Sequence, residues 1–96
     1  MMKNEASLPK SVKVMGHKIR IVFTDETDNH GEYIHDCKLI KVNSTLPPKD
    51  QWVALYHELL HCALAISGMS EILGNDREEG VVRALENLSS ILRLNN

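Results

Sequence analysis

The chain has 96 residues, 43% of them hydrophobic and 25% charged, with a net charge of −2. That length suits one domain spanning residues 1–96 and leaves no room for a second, with a core that buries roughly 60–65% of the unfolded surface. The charge balance lacks the strongly basic face of a nucleic-acid binder: Lys10, Lys13, Lys18, Arg20, Lys38 and Lys41 are scattered and form no run.

Residues 1–10 read as a loose arm ended by Pro9, with no apolar segment that would make a signal peptide. Over residues 11–24, Val12, Val14, Ile19, Ile21 and Phe23 alternate with polar residues, which predicts a hairpin turning at Gly16-His17 and leaves His17 exposed. Residues 25–31 are a polar loop. Tyr33 and Ile34, then Leu39, Ile40 and Val42, predict a second strand pair bending at 36–38. Pro47-Pro48 belongs to a linker over 44–48, because proline fits neither a strand ladder nor a helix interior.

From 49 to 67 the pattern is helical. Trp52, Val53, Leu55, Tyr56, Leu59, Leu60, Ala63, Leu64 and Ile66 cover most of the circumference, which predicts a buried central helix with Trp52 and Tyr56 in the core. Gly68 supplies its stop. Its apolar run is interrupted by His57, Glu58 and His61, so it is not expected to span a membrane. Residues 69–74 are a short helical turn or a loop. A last helix over 77–94 carries the stripe Val81, Val82, Ala84, Leu85, Leu88, Ile91 and Leu92. Strands followed by helices predict an α+β fold with a small antiparallel sheet, a buried helix and a C-terminal amphipathic helix.

Residues 57–61 read His-Glu-Leu-Leu-His, the pattern H-E-x-x-H. Four residues apart on a helix, His57 and His61 share one face and can direct both imidazoles at a single ion. Zinc accepts neutral imidazole nitrogen in tetrahedral geometry. Glu58 is rotated by about 100° from His57, beside the metal, where it can take a proton from an activated water as a general base. The pattern arises by chance in roughly a few per thousand chains of this size. Unpaired histidines and a glutamate amid apolar residues are costly to bury, and a metal resolves that cost.

A catalytic zinc site wants a third protein ligand and an open position. Glu78 and Glu79, seventeen and eighteen residues beyond His61, open the last helix. Glu78 borders the apolar stripe and Glu79 turns toward Arg83 and Glu86, so the stripe favours Glu78 with Glu79 as the alternate. Capping does not separate them, since Asp76 with Glu79 and Asn75 with Glu78 both fit a capping box.

Together these segments resemble the gluzincin metallopeptidases, and most of all the short phage- and mobile-element-type members and the related ImmA/IrrE-type peptidases. The resemblance covers roughly residues 31–94. It is carried by Gly31-x-Tyr33 leading to Leu39-Ile40-x-Val42, then H-E-L-L-H, then Glu78-Glu79-x-x-Val82. It implies a minimal zincin-like domain with Zn2+ held by His57, His61 and Glu78, and Glu58 as the general base for peptide hydrolysis. Larger members carry a further subdomain that shapes the cleft. These residues contain no counterpart to it, so broad proteolysis is not expected.

The expected substrate is a peptide or protein, docking as an added strand on the edge offered by residues 39–43. Tyr33, His35 and His30 are candidate donors to the oxyanion, each also readable as structural. Cys62 reads as a small buried hydrophobe and Cys37 as a free thiol. With no C-x-x-C pair or disulfide framework, the expected setting is the reducing cytoplasm. The alternative function is a zinc-stabilised binding or regulatory module with little turnover. A zinc nuclease is disfavoured, because Ser67 stands where H-x-x-x-H-x-x-x-x-x-H needs its third histidine.

Overall fold

A computed structural model describes the backbone of residues 8–27 and 29–94 and the side chains of those residues as far as Leu88. Residues 1–7 of the expected arm, and the side chains of Ile91 and Leu92 in the expected stripe, lie outside it. The element order is β1 (Ser11–Val14), β2 (His17–Thr24), β3 (Gly31–Ile34), β4 (Leu39–Asn43), α1 (Pro48–Ile66) and α2 (Met69–Leu94). The fold is α+β, as expected.

β1 and β2 form the first hairpin, with Val14 opposite His17. The turn is Met15-Gly16, one residue earlier than the pattern indicated; both residues have positive φ (50° and 85°), which matches the right-handed twist of the strands. His17 is exposed but opens β2 rather than the turn. β3 and β4 form the second hairpin, Gly31 opposite Val42.

The sheet is mixed rather than antiparallel. Its order is β1-β2-β4-β3, with β4 running parallel to β2 in the register Ile21 to Ile40 and Phe23 to Val42. The composition of the two strands explains the exchange. β4 contributes Ile40 and Val42, both fully buried, whereas β3 contributes Gly31 and the exposed Glu32. A β-branched apolar strand gains most from the centre, and a strand with a glycine and an outward charge suits the edge. The expectation that residues 39–43 form the edge is therefore corrected: the edge beside them is β3.

Ile19, Ile21, Ile40 and Val42 pack beneath Ala54, Leu55 and Cys62 of α1. Leu8, from the end of the expected arm, also packs on this cluster. α1 lies across the sheet and touches β1, β3 and β4, while α2 packs on α1. Pro48 occupies the first turn of α1, where its missing N–H goes unneeded. Gly68, at φ 85°, ends the helix in the left-handed region.

α1 is half-buried rather than a fully buried centre. Ala54, Leu55 and Cys62 are buried, but Trp52 is 40% exposed, which corrects its placement in the core; Tyr56 is partly buried. α2 begins at Met69, so residues 69–73 are helical. Gly74 (φ 77°, ψ 168°) breaks the helix, which resumes at Asn75. Asn75 and Asp76 thus lie inside the helix, and neither sits at the non-helical position that a capping box requires. No helix among the described residues is long and apolar enough to cross a membrane.

Candidate metal centre

α1 presents His57 and His61 one turn apart, on the side that faces α2. Their Nε2 atoms approach to 3.2 Å and the rings meet at 63°. Glu79 of α2 reaches the same point, with Oε2 3.5 Å from His61 Nε2 and Oε1 3.8 Å from His57 Nε2. Tetrahedral zinc with bonds of about 2.0–2.1 Å sets its ligand atoms about 3.3–3.4 Å apart. The three side chains are spaced close to that. Glu79 Oε1 is shut off from solvent and has no hydrogen-bond partner. A carboxylate set against two imidazole nitrogens, with one of its oxygens orphaned, fits a divalent cation, and among the described residues His57, His61 and Glu79 form a group able to hold one.

Glu78 goes elsewhere. Its Oε2 lies 2.5 Å from Nδ1 of His61, on the far side of that ring from Nε2. Burial pushes the Glu78 carboxyl up. The hydrogen bond and charge of His61, with a smaller contribution from Ser70, outweigh it and hold the group below the usual carboxylate range. Glu86, which the sequence reading passed over, places Oε1 3.0 Å from His57 Nδ1.

The carboxylate that reaches both Nε2 atoms is thus the alternate, Glu79, while Glu78 stands behind the His61 ring. The reason is the rotation of α2. Val82 is fully buried, while Leu85 and Leu88 of the expected stripe are 39% and 54% exposed. The face toward α1 is therefore Glu78, Glu79, Val82 and Glu86. Glu79 and Glu86 are seven residues apart, two turns on one face, and that spacing is the signal by which Glu86 could have been found.

Compared with protein-family models, curated proteins and solved structures, the chain matches none. The site therefore rests on its own geometry.

Glu58 lies on the wall of the same cleft as His57, His61 and Glu79. Burial pushes its carboxyl up and the two histidines pull it down, with a net rise. A carboxyl raised in this way holds a proton more readily than a solvated one, as a proton-transfer group requires. The backbone of β3 makes room for it: a Cβ at Gly31 would lie 3.1 Å from Glu58 Cγ and 3.0 Å from the Lys41 carbonyl oxygen.

The cleft is open, about 1000 Å³, and runs along β3 past Asn29, His30, Gly31, Glu32 and Tyr33. Five carboxylates line it, from Glu32, Asp50, Glu58, Glu79 and Glu86, and the described lining includes neither lysine nor arginine. Of the candidate oxyanion donors, His30 and Tyr33 line the cleft, whereas His35 holds the Tyr33 hydroxyl through Nδ1 at 2.8 Å. Cys62 is fully buried against the sheet, and Cys37 is an exposed free thiol.

Proposed function

We propose that the chain is a zinc-dependent peptidase of minimal zincin-like build, with His57, His61 and Glu79 as metal ligands and Glu58 as general base. The observation that carries this reading is the convergence of two Nε2 atoms and the Glu79 carboxylate, one oxygen of which is orphaned, with Glu58 beside them on the wall of one open cleft. Zinc bound there supplies a Lewis acid and lowers the pKa of water toward about 7.

The protein's own part is positional. β3 is a sheet edge and lines the cleft through Gly31, Glu32 and Tyr33. An extended peptide adds to such an edge as a further strand, which brings its carbonyl past the histidines. Glu58 accepts a proton from water in the cleft and hands it to the departing amine nitrogen. Such a group contributes roughly 10²–10⁴-fold to rate. The acidic lining favours a peptide over nucleic-acid phosphates. The free thiols Cys37 and Cys62 suit a reducing cytoplasmic setting.

The test is elemental analysis of purified protein, followed by chelator-sensitive cleavage of a peptide library. One zinc per chain is expected, lost in Glu79→Ala. Glu58→Gln is expected to keep zinc and lose cleavage by at least about 100-fold. Protein that stays metal-free under saturating zinc overturns the metal site. Cleavage that survives in Glu58→Gln removes Glu58 as the base. Zinc without cleavage in the wild type supports instead a zinc-stabilised binding module.

A further inference from the structure

The two Nε2 atoms, 3.2 Å apart, can share one proton in a hydrogen bond, but each must be free of its proton to hold a metal. That protonation state is not intrinsic to imidazole, whose single neutral proton can sit on either nitrogen. Something has to hold it on Nδ1 in both rings.

The opposite side of each ring supplies the means. Glu78 Oε2 stands 2.5 Å from His61 Nδ1 and Glu86 Oε1 stands 3.0 Å from His57 Nδ1. Both carboxylates come from α2 and both are largely shielded, with side chains 13% and 25% exposed. Climbing α1 from 57 to 61 means descending α2 from 86 to 78, so the two helices pass antiparallel and each turn of α1 meets its own glutamate. Carboxylate partners of this kind fix ring orientation and tautomer and raise the ligand's basicity.

We infer that Glu78 and Glu86 are positioning residues that clasp the backs of His61 and His57, each holding its imidazole as the Nδ1–H form with Nε2 free for the metal. α2 would then supply the whole acidic half of the centre, one ligand flanked by two clasps. The inference rests on the proposed metal site for its consequence, but not for its observable.

The experiment is nitrogen-15 NMR of the histidine rings in zinc-free protein, paired with zinc affinity by competition against a chromophoric chelator. Wild type is expected to carry a proton on Nδ1 of both rings, whether or not the two Nε2 atoms share a further one. Glu78→Leu should move His61 toward the Nε2–H form and leave His57 unchanged, and Glu86→Leu should do the reverse. Each should weaken zinc binding by about 10–100-fold. Glu78→Gln and Glu86→Gln keep an acceptor oxygen without the charge, so each should fall between wild type and the leucine variant. They carry the same readouts if a leucine variant does not fold. Unchanged tautomers and affinity in both pairs overturn the clasp. A wild type that binds no zinc but shows the ring-specific tautomer changes overturns the metal site and leaves the clasp standing.

Discussion

At the level of single residues, the tightest constraint on the cleft is a missing side chain. A Cβ on Gly31 would press on the Lys41 carbonyl oxygen and on Glu58 Cγ, one of them backbone that cannot swing aside. Gly31→Ala is therefore expected to destabilise the protein by about 1–3 kcal/mol, the usual range for overpacking, and to lower peptide cleavage while zinc remains bound. Wild-type stability and cleavage in this variant would show that Glu58 does not depend on the space beside Gly31.

Tyr33 makes a second prediction. Burial, together with its contacts to Cys62, pushes its hydroxyl well above the ordinary value of about 10. The folded protein therefore keeps this proton when the unfolded chain would lose it. Stability from Tyr33 is complete below pH 10 and declines as pH rises beyond it. The melting temperature of wild type should fall more steeply above pH 10 than that of Tyr33→Phe; parallel curves would exclude the shift. The motif His57-Glu58-x-x-His61 was plain at this level because its geometry is local to one helix. The choice between Glu78 and Glu79 was not, since both are carboxylates at the start of one helix and only the rotation of α2 separates them.

Among the elements, α1 links the sheet to the candidate metal centre. Leu55 is 2% exposed and packs with Ile19, Ile40 and Val42, while His57 and His61 face α2. Leu55→Ala is expected to cost about 2–5 kcal/mol and to lower the melting temperature by at least about 8 °C for a domain of this size. A loss below about 1 kcal/mol would mean that α1 is not anchored there. The start and end of α1 were legible to within a residue, Gly68 marking the end, although Pro48 opens the helix and does not close the linker as expected. Its depth of burial was overestimated because a nearly continuous apolar circumference does not reveal that Trp52 and Val53 face outward. In α2 the expected stripe keeps Val82 inward, but Leu85 and Leu88 turn outward and glutamates take the rest of the face toward α1. Three glutamates share that face, opposite the two histidines of α1.

Across the whole molecule, a small core and a candidate metal centre between the two helices predict that zinc, if it binds there as proposed, stabilises the fold. With free zinc at a hundred times its dissociation constant, the folded state gains about 2.7 kcal/mol. Chelation should lower the melting temperature by roughly 10–20 °C, and Glu79→Ala should show little of this zinc dependence. Identical melting with and without zinc would argue against the centre.

The sequence alone determined the features whose period is local: strand alternation, the two hairpins, the extent of α1 and the facing histidine pair. Side chains two or four residues apart are placed by backbone geometry before anything packs. The tertiary structure decided that β4 rather than β3 lies beside β2, that β3 is the free edge, and that Glu79 meets both Nε2 atoms while Glu78 and Glu86 stand behind the rings. Those outcomes depend on which surface of one element buries most area against another, and that is settled only when all the elements pack together.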